Sequence, residues 1–159
     1  MKKQKNKKTK ICFAASSGGH YEQIMMLMPL AKKYDAFILT EKTKYNSEKK
    51  DMKSYFVHQI NRTEGLFLIK LFFNFVCSFF IFAKEKPDAI ICTGALATVP
   101  ICLIAKIFRK KLIFIESFAK ITSPTETGKI MYKYADLFFI QWESLKKYYP
   151  NALFFGGIY

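Results

Sequence analysis

Five consecutive residues, Ser16-Ser17-Gly18-Gly19-His20, combine small side chains with one imidazole. Glycines let a backbone approach a ligand closely, and free N–H groups at the start of a following helix favour an anion such as a phosphate. A neutral imidazole beside such a loop can accept a proton from a hydroxyl near physiological pH. The same residues also serve an ordinary tight turn, with the histidine only hydrogen-bonding at the helix start. The loop lacks the terminal Gly-Lys-Ser/Thr of a P-loop and the G-x-G-x-x-G of a dinucleotide fold.

Two further constellations have a similar character. Thr93-Gly94-Ala95 ends an apolar run and leads through Thr98 towards a helix, which suits close approach of a ligand or of the first loop, and equally suits plain strand-to-helix turn chemistry. Glu116-Ser117 puts a carboxylate at the end of the run Leu112 to Ile115, where it could orient a histidine, hold a sugar hydroxyl or pair with a lysine. His58 lies late in a short run among Val57 and Ile60 and is read as structural.

Positioning these residues requires an alternation of short β-rich runs and longer helical patterns. Strands are expected at residues 10–16, 36–40, 55–59, 88–93, 112–116, 137–141 and 152–155. Helices are expected over 21–34, 66–83, about 98–108 and about 127–134, with a short one through Leu145. Strands of mostly apolar residues, each followed by a helix, imply a parallel sheet buried on both faces, because parallel strands need crossover connections. The fold class expected is therefore α/β, a single Rossmann-like domain over residues 10–159 behind a basic tail at 1–9. In such sheets ligands bind at the carboxyl ends of the strands. That edge gathers Ser16 to His20, Thr40-Glu41, Thr93 to Ala95, Glu116-Ser117 and Gln141-Trp142.

The chain has 159 residues, 51% of them hydrophobic, which suits one domain with a real core and excludes a disordered polyelectrolyte. Its net charge of +14 points to a polyanionic partner. Lys2, Lys3, Lys5, Lys7, Lys8 and Lys10 supply six of those charges within ten residues that contain no acid, so about +8 remains for the folded part. Such a tail is either a solubilising leader or an attachment to an anionic membrane surface. With the charge so placed and no recognition-helix or RNA-binding signature, nucleic acid is not an expected partner. Cys12, Cys77, Cys92 and Cys102 lie in apolar runs without C-x-x-C spacing, as buried free thiols do. No secretory leader is read at the N-terminus, and no metal or cofactor motif is present.

Residues 66–83, eighteen in all, are about the minimum for crossing a bilayer. Lys70, Asn74 and Ser78 recur at helical spacing as one polar stripe, while Phe72, Phe75 and Phe79 belong to the apolar faces. A central lysine is costly in a span, and strands on both sides must stay in one compartment. The segment is read as a crossover helix partly buried on the sheet, with aromatic faces available to a membrane or partner.

Taken together, Ser17-Gly-Gly-His20, Lys86-Pro-Asp-Ala-Ile-Ile-Cys-Thr-Gly94 with its continuation to Ile101, Ile115-Glu-Ser117, Thr127-Gly-Lys129, Tyr134-Ala-Asp136, Gln141-Trp142 and Tyr149 to Gly156 resemble one family. It is the ALG-fourteen-like family, the membrane-associated subunit of the two-component N-acetylglucosaminyltransferase of the dolichol pathway. The bacterial capsule and exopolysaccharide proteins of the PssD and CpsF type resemble the chain still more. The dolichol-pathway subunit has an N-terminal membrane helix where this chain has lysines.

The resemblance implies the N-terminal, acceptor-side half of a GT-B glycosyltransferase, with the UDP-sugar held by a separate donor-binding subunit. The acceptor implied is a saccharide on a polyprenyl diphosphate at the cytoplasmic face of the cell membrane, in capsular or exopolysaccharide synthesis. His20 would then be the base of an inverting transfer, with Glu116 beside it. Ser16, Ser17, Gly18, Gly19, Thr93, Gly94, Ala95 and Ser117 would line the acceptor and diphosphate site. The tail lysines with Phe72, Phe75 and Phe79 would hold the membrane. A competing reading is a non-catalytic adaptor that recruits a glycosyltransferase complete in itself.

Overall fold

The computed structural model describes residues 8–43, 52–61 and 64–159. Lys2, Lys3, Lys5 and Lys7, and most of the charged stretch after Glu41, lie outside them; Lys8 is exposed. Among the described residues seven strands form one sheet: β1 (Lys10–Ala15), β2 (Asp35–Glu41), β3 (Ser54–Val57), β4 (Ala89–Gly94), β5 (Lys111–Ile115), β6 (Leu137–Ile140) and β7 (Leu153–Phe154). Every pairing is parallel, in the order β3-β2-β1-β4-β5-β6-β7. The chain leaves β1 towards β2 on one side, and β4 takes the place on the other. The order thus reverses between β1 and β4, the point at which doubly wound sheets open a crevice at their carboxyl edge.

Alternation along each strand divides the core between the two faces. Cys12, Ala14, Ile90 and Cys92 meet α3 (Phe67–Glu85), α4 (Val99–Ile107) and α5 (Glu126–Met131) on one face. Phe13, Ala15, Ile38 and Ile91 meet α1 (Gly19–Met26) and α2 (Met28–Ala31) on the other. Cys12, Cys92 and Cys102 are buried free thiols and Cys77 is half-buried, also free.

The expected helix over 21–34 is two pieces. Pro29 lacks an N–H and cannot continue a helix from the preceding turn, so the chain breaks at Leu27 and restarts with Pro29 in the first turn of α2. The expected strand at 55–59 ends at Val57, because the Asn74 side chain takes over the pairing: its Oδ1 accepts the His58 N–H at 2.8 Å and its Nδ2 donates to the His58 carbonyl at 2.8 Å. His58 itself is exposed. The short helix through Leu145 is a 3-10 turn over Glu143–Lys147.

The sequence left the orientation of α3 open. Asn74 and Ser78 of its polar stripe face inward and are buried, as is Glu85, while Lys70 stays half-exposed and pairs with Glu64, and Leu68, Phe72 and Phe80 are 71%, 65% and 66% exposed. Phe79 also faces outward, whereas Phe75, expected with it on the membrane side, packs against the core. The helix is long and apolar enough to span a bilayer by composition. It nevertheless lies along the domain, since β3 before it and β4 after it belong to one sheet.

Candidate functional site

At the reversal point the loop after β1 and the end of β4 are tied together. The Ser16 N–H donates to the Gly94 carbonyl at 2.8 Å. The β1–β4 register runs Ala14 to Cys92 and then Ala15 to Gly94, which leaves Thr93 as an extra residue, a β-bulge. A bulge re-aims the groups it leaves out of the ladder. Here the Thr93 carbonyl lies 2.6 Å from His20 Nδ1, and Thr93 Oγ1 donates to the His20 carbonyl at 2.9 Å. A carbonyl can only accept, so Nδ1 carries the proton and Nε2 is left as the basic nitrogen. Burial holds the His20 pKa below the ordinary histidine value, outweighing the opposite influence of the Thr93 carbonyl and of the Glu116 and Glu41 carboxylates. A neutral imidazole with a fixed tautomer is the form a general base requires.

Gly94 has φ +102°, and a side chain there would meet the His20 ring at 3.1 Å, so glycine serves both backbone and packing. On the other side, Glu41 at the end of β2 holds Ser17: its Oε2 accepts the Ser17 N–H at 3.1 Å and the Ser17 hydroxyl at 2.9 Å. Gly18, with φ +75°, then turns the chain into α1. Gly18 and Gly19 are exposed with open space around them. The first N–H groups of α1 have no carbonyl one turn back and emerge at this edge.

The expected site residues therefore divide. Gly18, Gly19, His20, half-buried Ala95 and half-buried Ser17 reach the crevice. Ser16, Thr93 and Gly94 are buried and hold its walls. Ser117 is buried too, its N–H donating to Glu116 Oε1 at 2.8 Å. Glu116, expected to line the acceptor cleft and share in catalysis, is fully buried. Its Oε1 also accepts the Thr125 hydroxyl at 2.8 Å, and its Oε2 accepts the Thr125 N–H at 3.2 Å and the Tyr149 hydroxyl at 2.7 Å. With both oxygens engaged by four donors, this carboxylate fastens α5 and the C-terminal region to β5 from within the core. Burial, and then Glu116 itself, push the Tyr149 phenol well above its ordinary pKa, so Tyr149 stays a donor.

Sequence reasoning missed Gln23. Its Nε2 donates to the Gly19 carbonyl at 3.3 Å, and its Oε1 accepts from Phe118 N–H at 3.3 Å and Gln141 Nε2 at 2.7 Å. Gln141 in turn donates to the Glu116 carbonyl and accepts the Ile158 N–H at 2.9 Å. The buried pair links the glycine turn to β5, β6 and the C-terminal segment. The signal was present in Gln141, which stands at a strand end; nothing local in the sequence marks Gln23.

The opposite faces of the sheet are unequally covered. Over β4, β5 and β6, on the side of α1 and α2, an apolar groove of about 350 Å³ runs over Ile91, Ile113, Leu137 and Phe139, with Phe155 and Ile158 at its edge.

Comparison with known proteins agrees with this architecture. The UDP-N-acetylglucosamine transferase subunit ALG14 of Mus musculus is 27% identical over 94% of this chain and 82% of its own length. Among solved structures, MurG of Acinetobacter baumannii superposes with a TM-score of 0.70 at 14% identity, over 86% of this chain and 42% of MurG. UDP-N-acetylglucosamine 2-epimerase from Rickettsia bellii gives 0.73 at 12% identity, over 95% of this chain and 45% of the epimerase. The chain thus spans less than half the length of either enzyme, and its fold is that of one Rossmann-like half of the GT-B architecture. The family described as "Oligosaccharide biosynthesis protein Alg14 like" matches residues 11–158, and the chain belongs to that family.

Proposed function

We propose that this protein is the acceptor-side subunit of a two-component inverting glycosyltransferase, with a separate subunit holding the UDP-sugar. The observation that carries the proposal is the pairing of the open Gly18-Gly19 turn with the tautomer-fixed His20 at the reversal point of the sheet. In this reading the N–H groups at the start of α1 receive the diphosphate of a polyprenyl-linked saccharide. The acceptor hydroxyl gives its proton to His20 Nε2 while its oxygen bonds to the anomeric carbon of the donor sugar. The bond from that carbon to the nucleotide breaks, and UDP leaves with the electron pair on the opposite face. Ser17 and Ala95 flank the acceptor; Ser16, Thr93, Gly94 and Ser117 keep the loops in place.

Two features support a partner. A half-length GT-B fold offers one wall of a cleft, and the apolar groove over β4 to β6 is a ready seat for an apolar segment of the donor-binding subunit. The outward face of α3, with Phe72, Phe79 and Phe80, supports peripheral attachment to the cytoplasmic face of the cell membrane, as an interfacial helix attaches. The tail lysines Lys2, Lys3, Lys5, Lys7 and Lys8 add attraction to anionic lipid. Capsular or exopolysaccharide synthesis is the setting proposed.

The test is sugar transfer from a panel of labelled UDP-sugars to lipid acceptor with this protein alone, the donor-binding subunit alone, and both. Transfer only with both supports the split enzyme and identifies the donor. Full transfer by the other subunit alone makes this chain an adaptor.

A further inference from the structure

A second cavity, of about 410 Å³, lies at the amino edge of the sheet, opposite His20, between the C-terminal ends of α3 and α4. Phe79, Phe82, Ala83 and Phe108 line it, with Lys86 and Lys110 at its rim. The rings of Phe79 and Phe82 stand 6.5 and 5.1 Å from that of Phe108. Phe108 is half exposed, as is Phe79, so the cavity opens directly onto the apolar outer face of α3.

Charge at this edge has one dominant sign. Lys84, Lys86, Arg109, Lys110 and Lys111 follow or end the two helices; the acids among them are Asp88 and Glu85, and Glu85 is buried and already paired with Lys10 and Lys53. Asp88 faces Lys110 at 3.5 Å and accepts the Lys10 N–H at 3.0 Å. The two helix C-termini contribute roughly half a negative charge each, which with Asp88 offsets about two of the five cations. The remainder is net positive. Lys10 also begins β1, so the lysine-rich N-terminal segment joins the domain beside this cavity.

We infer that the cavity is a binding site for an anionic glycerophospholipid of the bilayer, with an acyl chain against Phe79, Phe82 and Phe108 and the phosphate between Lys86 and Lys110. An aromatic cavity accepts a chain, a lysine rim accepts a phosphodiester, and continuity with the α3 face places both at one interface. The site deepens the membrane attachment proposed above and rests on it. It sets the amino edge of the sheet at anionic headgroups and lays α3 along the surface, with its N-terminal end towards the glycine turn.

The test is co-sedimentation of the full chain with phosphatidylcholine vesicles, with and without phosphatidylglycerol, alongside labelling by a phosphatidylglycerol that carries a photoreactive acyl chain. Phosphatidylglycerol is expected to strengthen wild-type binding about tenfold or more, with label on the peptides of residues 79–86 and 108–110. Lys86→Glu should lower that gain to the share supplied by the N-terminal lysines and Phe108→Ser should remove most of the label, while binding to phosphatidylcholine alone persists. Label distributed elsewhere, or a Lys86→Glu protein that keeps the full gain, overturns the site and leaves the N-terminal lysines as the source of lipid preference. Neither residue touches the glycine turn, so sugar transfer in detergent reports separately. A wild-type pair of subunits that transfers no sugar while the labelling stays intact would overturn the enzymatic reading and not this one.

Discussion

Thr93 and His20 hold each other twice: the Thr93 carbonyl accepts from His20 Nδ1 at 2.6 Å, and the Thr93 hydroxyl donates to the His20 carbonyl at 2.9 Å. The first bond sets the tautomer; the second fixes the backbone of the residue that carries the ring. Because the carbonyl is freed by a bulge in β4, the base proposed for the reaction is oriented by the sheet itself.

His20→Ala should lower turnover of the two-subunit enzyme about 10²- to 10⁴-fold, the range a positioned base contributes, with little change in KM. Burial keeps the imidazole pKa below the ordinary value of about 6.5. The wild-type rate should therefore stay flat as pH falls through 6.5 and decline only below it. The pH profile of kcat/KM, which reports the free enzyme, checks this, and an acid limb at or above 6.5 would contradict it. The same shift has a stability consequence. Below about 6.5 the unfolded chain takes up this proton before the folded one does, so the contribution of His20 to stability falls with pH until the folded group also titrates.

Gly94→Ala tests the packing beneath the ring. The added methyl would lie 3.1 Å from His20 Cε1, on a backbone at φ +102° that L side chains rarely adopt. A loss of stability of about 1–3 kcal/mol is expected from strain of this kind. Turnover should fall further than stability alone explains, because the imidazole must move. Denaturant unfolding and kcat on the same protein separate the two effects, and a stable, fully active variant would contradict both.

Much of this edge was legible in the sequence. Apolar runs of four to seven residues gave strands where they stand, and a glycine pair followed by histidine marked the turn. The direction a side chain faces was not legible. Glu116 closes its strand as a cleft carboxylate would, but its partners Thr125 and Tyr149 are 9 and 33 residues further on, and only the fold brings them inward. Likewise, the spacing of Lys70, Asn74 and Ser78 defined a stripe on α3 without saying which way it faced. Asn74 faces inward because the backbone beyond β3 needed a partner at His58. The bulge at Thr93 has no local signature, being a mismatch of register between strands far apart in sequence.

Gly128→Ala addresses the buried carboxylate. A Cβ at this position would stand 2.0 Å from Glu116 Oε2 and 2.6 Å from the Tyr149 hydroxyl, inside a packed network. The carboxylate would have to leave the Thr125 and Tyr149 donors, stranding polar groups in the core. The expected cost is about 3 kcal/mol or more, among the large single-residue effects. Glu116→Gln, which keeps the shape but loses charge and places a donor against donors, should cost about 1–3 kcal/mol. Thermal unfolding measures both, and a Glu116→Gln protein as stable as wild type would contradict the anchoring role.

Glu85 provides a test at the other edge of the sheet. It is buried at the end of α3, where desolvation alone would raise its pKa, but Lys53, Tyr55 and Lys10 outweigh that and bring it down to about 2. Its Oε2 meets Lys10 Nζ at 3.1 Å, and its Oε1 is shared by Lys53 and Tyr55. An unfolded glutamate titrates near 4.3. A group depressed in the folded state contributes its full stability above the unfolded value and loses it as pH falls towards the folded one. Glu85→Gln should therefore cost about 1–2 kcal/mol at neutral pH, a figure kept small because Lys53 is solvent-exposed. The difference from wild type should shrink between about pH 4.3 and pH 2 and vanish below that range. Urea unfolding across that window reads the effect directly, and a deficit that persists unchanged at the acid end would mean that Glu85 acts through shape and not through charge.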